Sequence, residues 1–368
     1  MNSATAEKLQ DLPRGFHALT VADVRRETDD ATSVAFSIPA GKEDIFSFRA
    51  GQYLTLLREF DGEALRRPYS VCVSPDEGEL RVCVKKLPGG RMSSFVNDEL
   101  KVGDQLAVME PNGRFTLETD ANGENHYVGI AGGSGITPVL SIVRTVLRAE
   151  PKSSVTLLYG NRGVNDIIFR RKIAELKDLY LGRFNVMHVL AEGDNDVELL
   201  SGMLTSEKVE ELVSTFLDAT AVDGYFICGP GPMMDGADAA LKRLGVAKER
   251  VKIESFGAAA PTHRGAVICD VEDDVNAAQA TVIVGGSRKQ VKVPRSGNVL
   301  DAALAAKMDL PFACKGGVCC TCKARLVEGE VEMAVNYGLE DDEIERGFIL
   351  TCQARPLTDK LVVDYDAI

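Results

Sequence analysis

The sequence predicts a multidomain fold with three parts in succession: an antiparallel β-barrel, an α/β domain built on a parallel sheet, and a small α+β domain of the β-grasp type. Short β-branched and aromatic runs between turn residues predict the barrel. Strand-like runs that alternate with helical stripes predict the parallel sheet. A proline-containing segment of small residues then precedes the third part. The predicted domains are 14–120, 121–258 and 268–368, with a linker at 259–267.

Composition limits the classes of partner. The chain has 368 residues, and 45% apolar and 26% charged residues are ordinary for a globular protein. Lys and Arg number 42 against 55 Asp and Glu, and the net charge of −13 disfavours nucleic acid as a partner. No apolar run approaches the length of a membrane span, so we expect no membrane partner. Nine cysteines in a chain of this length indicate a reducing compartment, and we expect a cytoplasmic protein.

The barrel prediction rests on short strand-like runs separated by turn dipeptides such as Asp61-Gly62 and Asn112-Gly113. The runs lie at 16–24, 33–38, 53–58, 67–73 and 80–87, with one helix at 93–100. Two motifs in this domain carry groups that suit a nucleotide. Arg67-Pro68-Tyr69-Ser70 sets a cation, an aromatic ring and a hydroxyl on one strand. Gly90-Arg91-Met92-Ser93 opens the helix, where free amides bind anions, although each motif alone also occurs by chance.

The second domain begins with a strand, a glycine loop and a helix. The apolar run 127–131 leads into Gly132-Gly133-Ser134-Gly135, and Thr137 is the expected helix N-cap. Backbone can approach a pyrophosphate closely in such a loop, although the spacing differs from the G-x-G-x-x-G fingerprint. Further strands are predicted at 155–159, 185–190 and 225–228, and helices at 167–179 and 233–244.

Two more motifs of this domain stand at predicted strand ends, where parallel sheets bind their ligands. The first is Tyr159-Gly160-Asn161-Arg162, in which Arg162 is the candidate ligand group. The second is Cys228-Gly229-Pro230. The alternatives are a solvated surface charge at Arg162 and a small core residue at Cys228.

The third domain contains four cysteines at the spacing of a plant-type [2Fe–2S] site. Cys314, Cys319 and Cys322 follow the pattern C-x4-C-x2-C. Cys352 supplies a distant fourth thiolate, and Lys315-Gly316-Gly317-Val318 gives the loop its permissive residues. A zinc site is the rival interpretation, but structural zinc sites usually take two short cysteine pairs. Strands at 280–284, 289–293 and 361–364 and a helix at 298–307 are predicted around this loop.

An iron–sulfur loop downstream of the barrel changes the interpretation of the barrel motifs. Together they predict a flavin dinucleotide site, in which Tyr69 covers the isoalloxazine and Arg67 with the amides of 91–94 holds the pyrophosphate. A flavin between a hydride donor and a one-electron cluster predicts conversion of two-electron into one-electron transfer.

With these motifs in place, the chain resembles the ferredoxin–NADP reductase superfamily, in the version with a plant-type ferredoxin domain at the C-terminus. The likeness covers residues 15–368. It rests on LRRPYSVC (65–72), GGSGITPVLSI (132–142), LYGNR (158–162), ICGPGPMM (227–234), ACKGGVCCTCK (313–323) and LTCQARP (350–356). Within this superfamily, FDGEALRRPYS, CKGGVCCTCK and VNYGLEDDE are most similar to the reductase components of phenylacetyl-CoA epoxidases.

The resemblance implies residue roles. The implied FAD contacts are Arg67, Pro68, Tyr69, Ser70, Gly90, Arg91, Met92 and Ser93. The implied nicotinamide nucleotide contacts are Gly132, Gly133, Ser134, Gly135, Thr137, Arg162, Cys228, Gly229 and Pro230. Glu254 and Phe256 match the segment that lies against the flavin. In the resulting hypothesis Ser70 hydrogen-bonds near flavin N5, and Cys228 and Glu254 line the hydride-transfer pocket.

The implied activity is transfer of electrons from NADPH or NADH, through FAD and the cluster, to an oxygenase partner. NADPH is favoured because Arg162 can pair with a 2′-phosphate. Two alternatives stay open. One is a reductase for another oxygenase, such as a Rieske-type 3-ketosteroid 9α-hydroxylase. The other is a sensory protein that uses the cluster to report redox state.

Cys320 is predicted to be a non-ligand, because a register through it gives the spacing x5 and x1 instead of x4 and x2. We expect Cys320→Ala to keep the visible absorption of the cluster, measured on protein purified anaerobically. Cys319→Ala is the matched variant that should lose it. A bleached Cys320→Ala protein would show that the ligand register is wrong.

Overall fold

The computed structural model describes residues 12–192, 197–256 and 276–367, and the predicted linker at 259–267 lies outside these ranges. All three predicted folds are present in the described residues. Contacts divide the chain into two compact units. One holds most of the barrel and the parallel sheet, at His17–Leu65 and Tyr69–Ser255, and the other is dominated by the C-terminal domain. The predicted bounds of the three domains and of the linker stay predictions.

The first domain is a six-stranded sheet in the order β4-β3-β6-β1-β2-β5. Its elements are β1 Phe16–Thr28, β2 Ala31–Ser37, β3 Tyr53–Phe60, β4 Glu63–Ser70, β5 Leu80–Lys85, helix α1 Arg91–Asp98 and β6 Gln105–Met109. β1 pairs antiparallel with β2, β2 with β5, and β3 with β6. A bridge between Val71 and Val82 joins the chain after β4 to β5, the opposite edge strand, and so closes the sheet around an apolar interior.

A tight hairpin determines where β4 begins. Asp61 and Gly62 have φ angles of +51° and +83°, the two positive values that a type I′ turn requires. This turn places Glu63 opposite Phe60, and the strand therefore starts four residues before the predicted 67–73.

The second domain is a five-stranded parallel sheet in the order β11-β10-β7-β8-β9. Its strands are β7 His126–Gly132, β8 Ser154–Asn161, β9 Phe184–Leu190, β10 Gly224–Cys228 and β11 Val251–Glu254. Its helices are α2 Ile136–Ala149, α3 Arg170–Leu179, α4 Ser206–Phe216 and α5 Gly231–Arg243. Apolar clusters cover both faces, α2 and α3 on one and α4 and α5 on the other, as a parallel sheet requires.

Two helix starts differ from the sequence prediction. The N-cap of α2 is Gly135, and Thr137 lies inside the first turn, where its hydroxyl donates to Ser134 O at 3.0 Å. The prediction of Thr137 as N-cap is wrong because the short 3₁₀ turn Gly133–Gly135 runs directly into the helix. Helix α3 begins at Arg170, since Phe169 adopts a left-handed φ of +62° that ends the preceding turn.

The third domain has a five-stranded mixed sheet, β13-β12-β18-β14-β16, and a separate β15–β17 pair. Its elements are β12 Ala278–Val284, β13 Ser287–Val293, α6 Val299–Ala305, β14 Lys323–Glu328, β15 Val331–Met333, α7 Asp341–Glu345, β16 Phe348–Leu350, β17 Ala354–Pro356 and β18 Lys360–Asp364. Asn298 caps α6 by accepting from Asp301 N at 2.8 Å. Val299 and Leu300 then pack into the core against the sheet. In the described ranges no helix has the length and apolar character needed to cross a bilayer.

Candidate functional site

The cysteines of the third domain lie in two close pairs. Hydrogen bonding with Cys319 lowers the pKa of Cys314, and hydrogen bonding with Cys322 lowers the pKa of Cys352. The two pairs are also neighbours, because Cys319 and Cys352 both help to raise the pKa of Cys322. Three of the four thiols are buried, and Cys314 is half-buried. The cysteine loop and the distant segment at Cys352 therefore bring four sulfurs together as two neighbouring pairs.

This pairing fits a binuclear cluster better than a single ion. Among the described residues no three His, Cys, Asp or Glu side chains are arranged to hold one metal ion. A [2Fe–2S] cluster makes a different demand, since its two irons share four thiolates. If such a cluster binds here, Cys314 with Cys319 and Cys322 with Cys352 would supply two thiolates for each iron. The tetrahedral zinc alternative needs all four on one centre, and the donor set does not offer that.

The loop backbone is shaped to surround the sulfurs. Lys315 and Gly317 have φ angles of +54° and +75°, and a Cβ on Gly317 would lie 2.8 Å from Val335 O. Gly316 N donates to Cys314 Sγ at 3.2 Å. Backbone amides that point at sulfur favour the thiolate, which is the form that binds metal.

Cys320 points elsewhere. Its Sγ donates to Gly338 O at 2.9 Å, and its own φ is +52°. The Cys320 thiol therefore donates its proton to a backbone carbonyl and not to any of the four paired cysteines. Its predicted exclusion from the ligand set stays a prediction.

The barrel motif alternates along β4 as expected. Ser70 is buried, Arg67 is exposed, and Tyr69 is half-buried and packs against the barrel core. Pro68 is half-buried on the same face as Ser70. The cation and the aromatic ring therefore share the face opposite the buried hydroxyl.

Helix α1 offers backbone and not side chains. Met92 is buried in the core, and Arg91 donates to Glu63 at 2.6 Å. Ser93 Oγ accepts from Leu87 N and donates to Gly90 O, both at 3.1 Å. No side chain of the described residues caps this helix, whose N-cap is Gly90. Its first amides therefore suit an anion such as a pyrophosphate.

The three predicted catalytic residues meet at one place. Cys228 and Glu254 are direct partners at the ends of β10 and β11. Ser70 Oγ donates to Glu254 Oε2 at 3.4 Å. Burial raises the pKa of Glu254 to about 8, and the hydrogen bond from Ser70 opposes that change. Burial and the Glu254 carboxylate raise the pKa of Cys228 well above its usual value, so this thiol is neutral.

Glycines let two loops touch at the carboxyl edge of the parallel sheet. A Cβ on Gly135 would overlap Cys228 O, and a Cβ on Gly229 would lie 3.0 Å from Gly132 N. On Gly132 a Cβ would lie 2.8 Å from Pro230 Cδ. Close backbone approach of this kind leaves amides exposed to a ligand without intervening side chains.

Arg162 lies apart from this meeting point. It follows β8, on the other side of β7 from β10, and its side chain is 65% exposed. It pairs with Asp166 at 2.5 Å. Phe256 is 42% exposed at the end of a described range. The roles predicted for both residues stay predictions.

Sequence reasoning missed two polar features of α2 and β8. Ser141 donates to Val73 O at 2.6 Å, and Arg144 donates to Cys72 O at 3.1 Å, so α2 is tied to the segment that follows Ser70. Polar residues inside an otherwise apolar helical stripe were the available signal. The other feature is Asn161, a 9% exposed amide whose two polar atoms have no hydrogen-bond partner among the described residues. It belongs to the YGNR motif, but nothing in the letters reveals its burial.

Comparisons with known proteins cover nearly the whole chain. Models for an oxidoreductase FAD-binding domain, an oxidoreductase NAD-binding domain and a 2Fe-2S iron-sulfur cluster binding domain match residues 18–117, 130–239 and 282–357. One component of the 1,2-phenylacetyl-CoA epoxidase of Escherichia coli (strain K12) is 42% identical over 96% of this chain and 98% of its own length. The 3-ketosteroid-9-alpha-monooxygenase ferredoxin reductase component of Mycobacterium tuberculosis (strain CDC 1551 / Oshkosh) is 37% identical over 98% and 99%.

A solved structure gives the same domain set. Phthalate dioxygenase reductase, described as a modular structure for electron transfer from pyridine nucleotides to [2Fe–2S], has a TM-score of 0.60 at 25% identity and covers 95% of this chain and 98% of its own. The predicted fold classes and cofactor domains are confirmed. The chain is therefore a flavin and iron–sulfur oxidoreductase with FAD-binding, NAD-binding and [2Fe–2S] domains, and it belongs to the ferredoxin–NADP reductase superfamily, in the group with a C-terminal plant-type ferredoxin domain.

Proposed function

We propose that this chain is the reductase component of a di-iron oxygenase, phenylacetyl-CoA epoxidase, in aerobic phenylacetate degradation, with NADPH as the favoured donor over NADH. The single observation that carries the proposal is 42% identity, over nearly both full lengths, to a component of that epoxidase in Escherichia coli. Bound FAD and a [2Fe–2S] cluster would supply conversion of one hydride into two single electrons. An oxygenase that activates O₂ one electron at a time needs such a supply.

On this proposal the residues of the chain bind and orient, and none acts as acid or base. Ser70 Oγ, a buried hydroxyl, would donate toward flavin N5 in exchange for its 3.4 Å bond to Glu254. Tyr69 would cover the flavin ring. Arg67 and the uncapped amides of α1 would neutralise the pyrophosphate.

The two side chains proposed to line the hydride pocket would be mostly uncharged near pH 7. Cys228 is fully buried and protonated, so on this proposal it would place no charge beside the nicotinamide. Glu254 has a pKa of about 8 and is mostly uncharged below that pH. A neutral pocket would avoid a fixed charge beside the transferred hydride.

Four cysteines, taken as two pairs, would hold the cluster while backbone amides stabilise its sulfurs. Cys314, Cys319, Cys322 and Cys352 are the proposed ligands. All eight cysteines in the described ranges are free thiols, which supports a reducing location, and we propose the cytoplasm.

A second candidate is a reductase for another oxygenase, such as a 3-ketosteroid 9α-hydroxylase. The 37% identity to the reductase component of 3-ketosteroid-9-alpha-monooxygenase, over nearly both lengths, favours it. Both candidates share the domain order, so the choice of oxygenase depends on the surface that meets the partner. The acidic helix α7 would be a candidate for that surface, although Glu343 within it is buried against Lys323.

The direct experiment is reconstitution with each candidate partner. Purified protein should contain iron and labile sulfide, and mixing with NADPH should bleach flavin and cluster absorption in that order. Product should then form with phenylacetyl-CoA and the oxygenase components of the epoxidase but not with a steroid hydroxylase and its substrate. Steroid product alone would select the second candidate, and a cluster that stays oxidised while flavin bleaches would contradict both.

Nucleotide preference should depend on Arg162. A 2′-phosphate would compete with Asp166 for the guanidinium, so Arg162→Ala should lower kcat/KM for NADPH by about 10-fold or more, the loss of a charged hydrogen bond. kcat/KM for NADH should change less than about 2-fold. Asp166→Asn is the matched variant, and it should raise kcat/KM for NADPH because it removes the competing carboxylate. A preference for NADH that Arg162→Ala leaves unchanged would refute the assignment.

Glu254 should make stability depend on pH. Its pKa in the folded protein is about 8 against 4.5 for the free side chain, so the folded state favours the neutral carboxyl and loses this advantage as pH rises through 8. Glu254→Gln is always neutral. Its unfolding free energy minus that of the parent should grow between pH 5 and 8 by up to about 1.4 kcal/mol per pH unit, and level off above.

Denaturant unfolding from pH 5 to 9, followed by far-ultraviolet circular dichroism, measures this difference. Glu249→Gln, an exposed residue beside β11, is the control and should show a constant difference. A constant difference for Glu254→Gln as well would mean that the Glu254 carboxyl is already ionised in the folded protein.

A further inference from the structure

Asn161 has a buried side-chain amide without a hydrogen-bond partner. Its side chain is 9% exposed, and neither Nδ2 nor Oδ1 has a partner among the described residues. The hydroxyl of Tyr159 is near enough for the Asn161 side chain to oppose the rise that burial causes in the pKa of Tyr159, but it is not within hydrogen-bond distance. That hydroxyl donates its proton to Gly133 O at 3.0 Å, so it has none left for Asn161 Oδ1.

An unsatisfied buried amide is unfavourable in a folded chain and calls for a specific explanation. An apolar side chain of the same size would avoid the loss of hydration at no cost in hydrogen bonds. A ligand that supplies both a donor and an acceptor would explain why an amide occupies this place. His188, the register partner of Tyr159 on β9, also has a buried ring nitrogen, Nδ1, without a partner in the described ranges. It lies on the same sheet face as Asn161.

The position of Asn161 identifies the ligand chemistry. Gly160 is the register partner of Gly132, so Asn161 lies beside the start of the glycine loop at the carboxyl edge of the sheet. β7 separates β8 from β10 and β11, which carry Cys228 and Glu254. Neighbouring strands are about 4.8 Å apart, so β8 lies roughly 10 Å from β10 along this edge.

A dinucleotide that lies along the carboxyl edge of the sheet suits these groups in only one orientation. With its nicotinamide at the ends of β10 and β11 and its pyrophosphate at the β7 loop, the adenosine ribose and its phosphate reach β8. Both are rich in oxygen atoms, and the ribose also has hydroxyl donors. These are the partners that the Asn161 amide lacks.

We propose that Asn161 binds the adenosine diphosphate half of the nicotinamide dinucleotide, with Nδ2 donating to a phosphate oxygen and Oδ1 accepting from a ribose hydroxyl. This inference rests on the proposed function. Asn161 is a binding residue remote from the hydride pocket, so it affects nucleotide affinity and not the rate of flavin reduction at saturation.

The test compares Asn161→Leu, which is nearly isosteric, with the parent as full-length holoenzyme. Without nucleotide, the variant should unfold at the same temperature or higher, because no hydrogen bond is lost. Its Kd for 5′-ADP should rise about 10- to 100-fold, as expected for a hydrogen bond to a charged group. Its KM for the reduced dinucleotide should rise in parallel, with the limiting rate of flavin reduction unchanged. Asn185→Leu, an exposed asparagine on β9, is the matched control and should bind 5′-ADP as the parent does.

Unchanged affinity for 5′-ADP would overturn the inference. If the unfolding temperature also fell, the amide would have a structural role instead. Asn161→Asp keeps the shape and sets a negative charge against the phosphates, so it should bind 5′-ADP more weakly still, and it serves if the leucine variant does not fold. Binding of 5′-ADP needs no electron transfer. If the parent failed to reduce its flavin with NADPH or NADH, that result would contradict the proposed function. It would not affect the conclusion on Asn161, which depends on 5′-ADP binding alone.

Discussion

The side chain of Arg144 ties the barrel to the parallel sheet, and the relation between their two motifs depends on it. Arg144 is buried, donates to Cys72 O at 3.1 Å and to Glu77 at 2.9 Å, and its neighbour Ser141 donates to Val73 O at 2.6 Å. A buried charge is tolerated only when it is paired, so few relative placements satisfy this arginine. The segment it holds begins just after Ser70, and its own helix begins just after the glycine loop. These contacts thereby fix the distance between the Ser70 hydroxyl and the glycine loop that precedes α2.

Space at the sheet edge is the second constraint. Gly135 and Gly229 allow backbone to meet backbone where any Cβ would collide, which leaves that edge rich in amides and poor in side chains. Asn161 is the exception, a side chain that enters this edge and finds no partner in the described residues. Both observations indicate the same ligand site. The glycines leave room for a ligand, and the Asn161 amide lacks the hydrogen bonds that a ligand would provide.

Local patterns were predictable, and long-range ones were not. The spacing of Cys314, Cys319 and Cys322 indicated the ligand loop because a loop that wraps a cluster is contiguous in sequence. Alternating patterns likewise predicted most strands and both sheet types. Ser70 and Glu254 are 184 residues apart, and only the family resemblance placed them together. Thr137 was mistaken for a cap because propensity favours threonine there, while the preceding 3₁₀ turn had already begun the helix. The burial of Asn161 is a property of the whole fold, which the letters YGNR do not contain.

The pairing of Cys322 with Cys352 has a consequence for how the C-terminal domain holds together. Thr351 Oγ1 donates to Cys322 O at 2.9 Å, so the two segments already adjoin in the protein chain itself. If one iron took both thiolates, it would close a loop of roughly 30 residues and would restrict the unfolded chain as a covalent crosslink of that length does. Binding of the metal would then also stabilise the folded C-terminal domain. Without iron, β14 and β16 would keep their antiparallel pairing, but the domain would lose this additional crosslink together with its electron carrier.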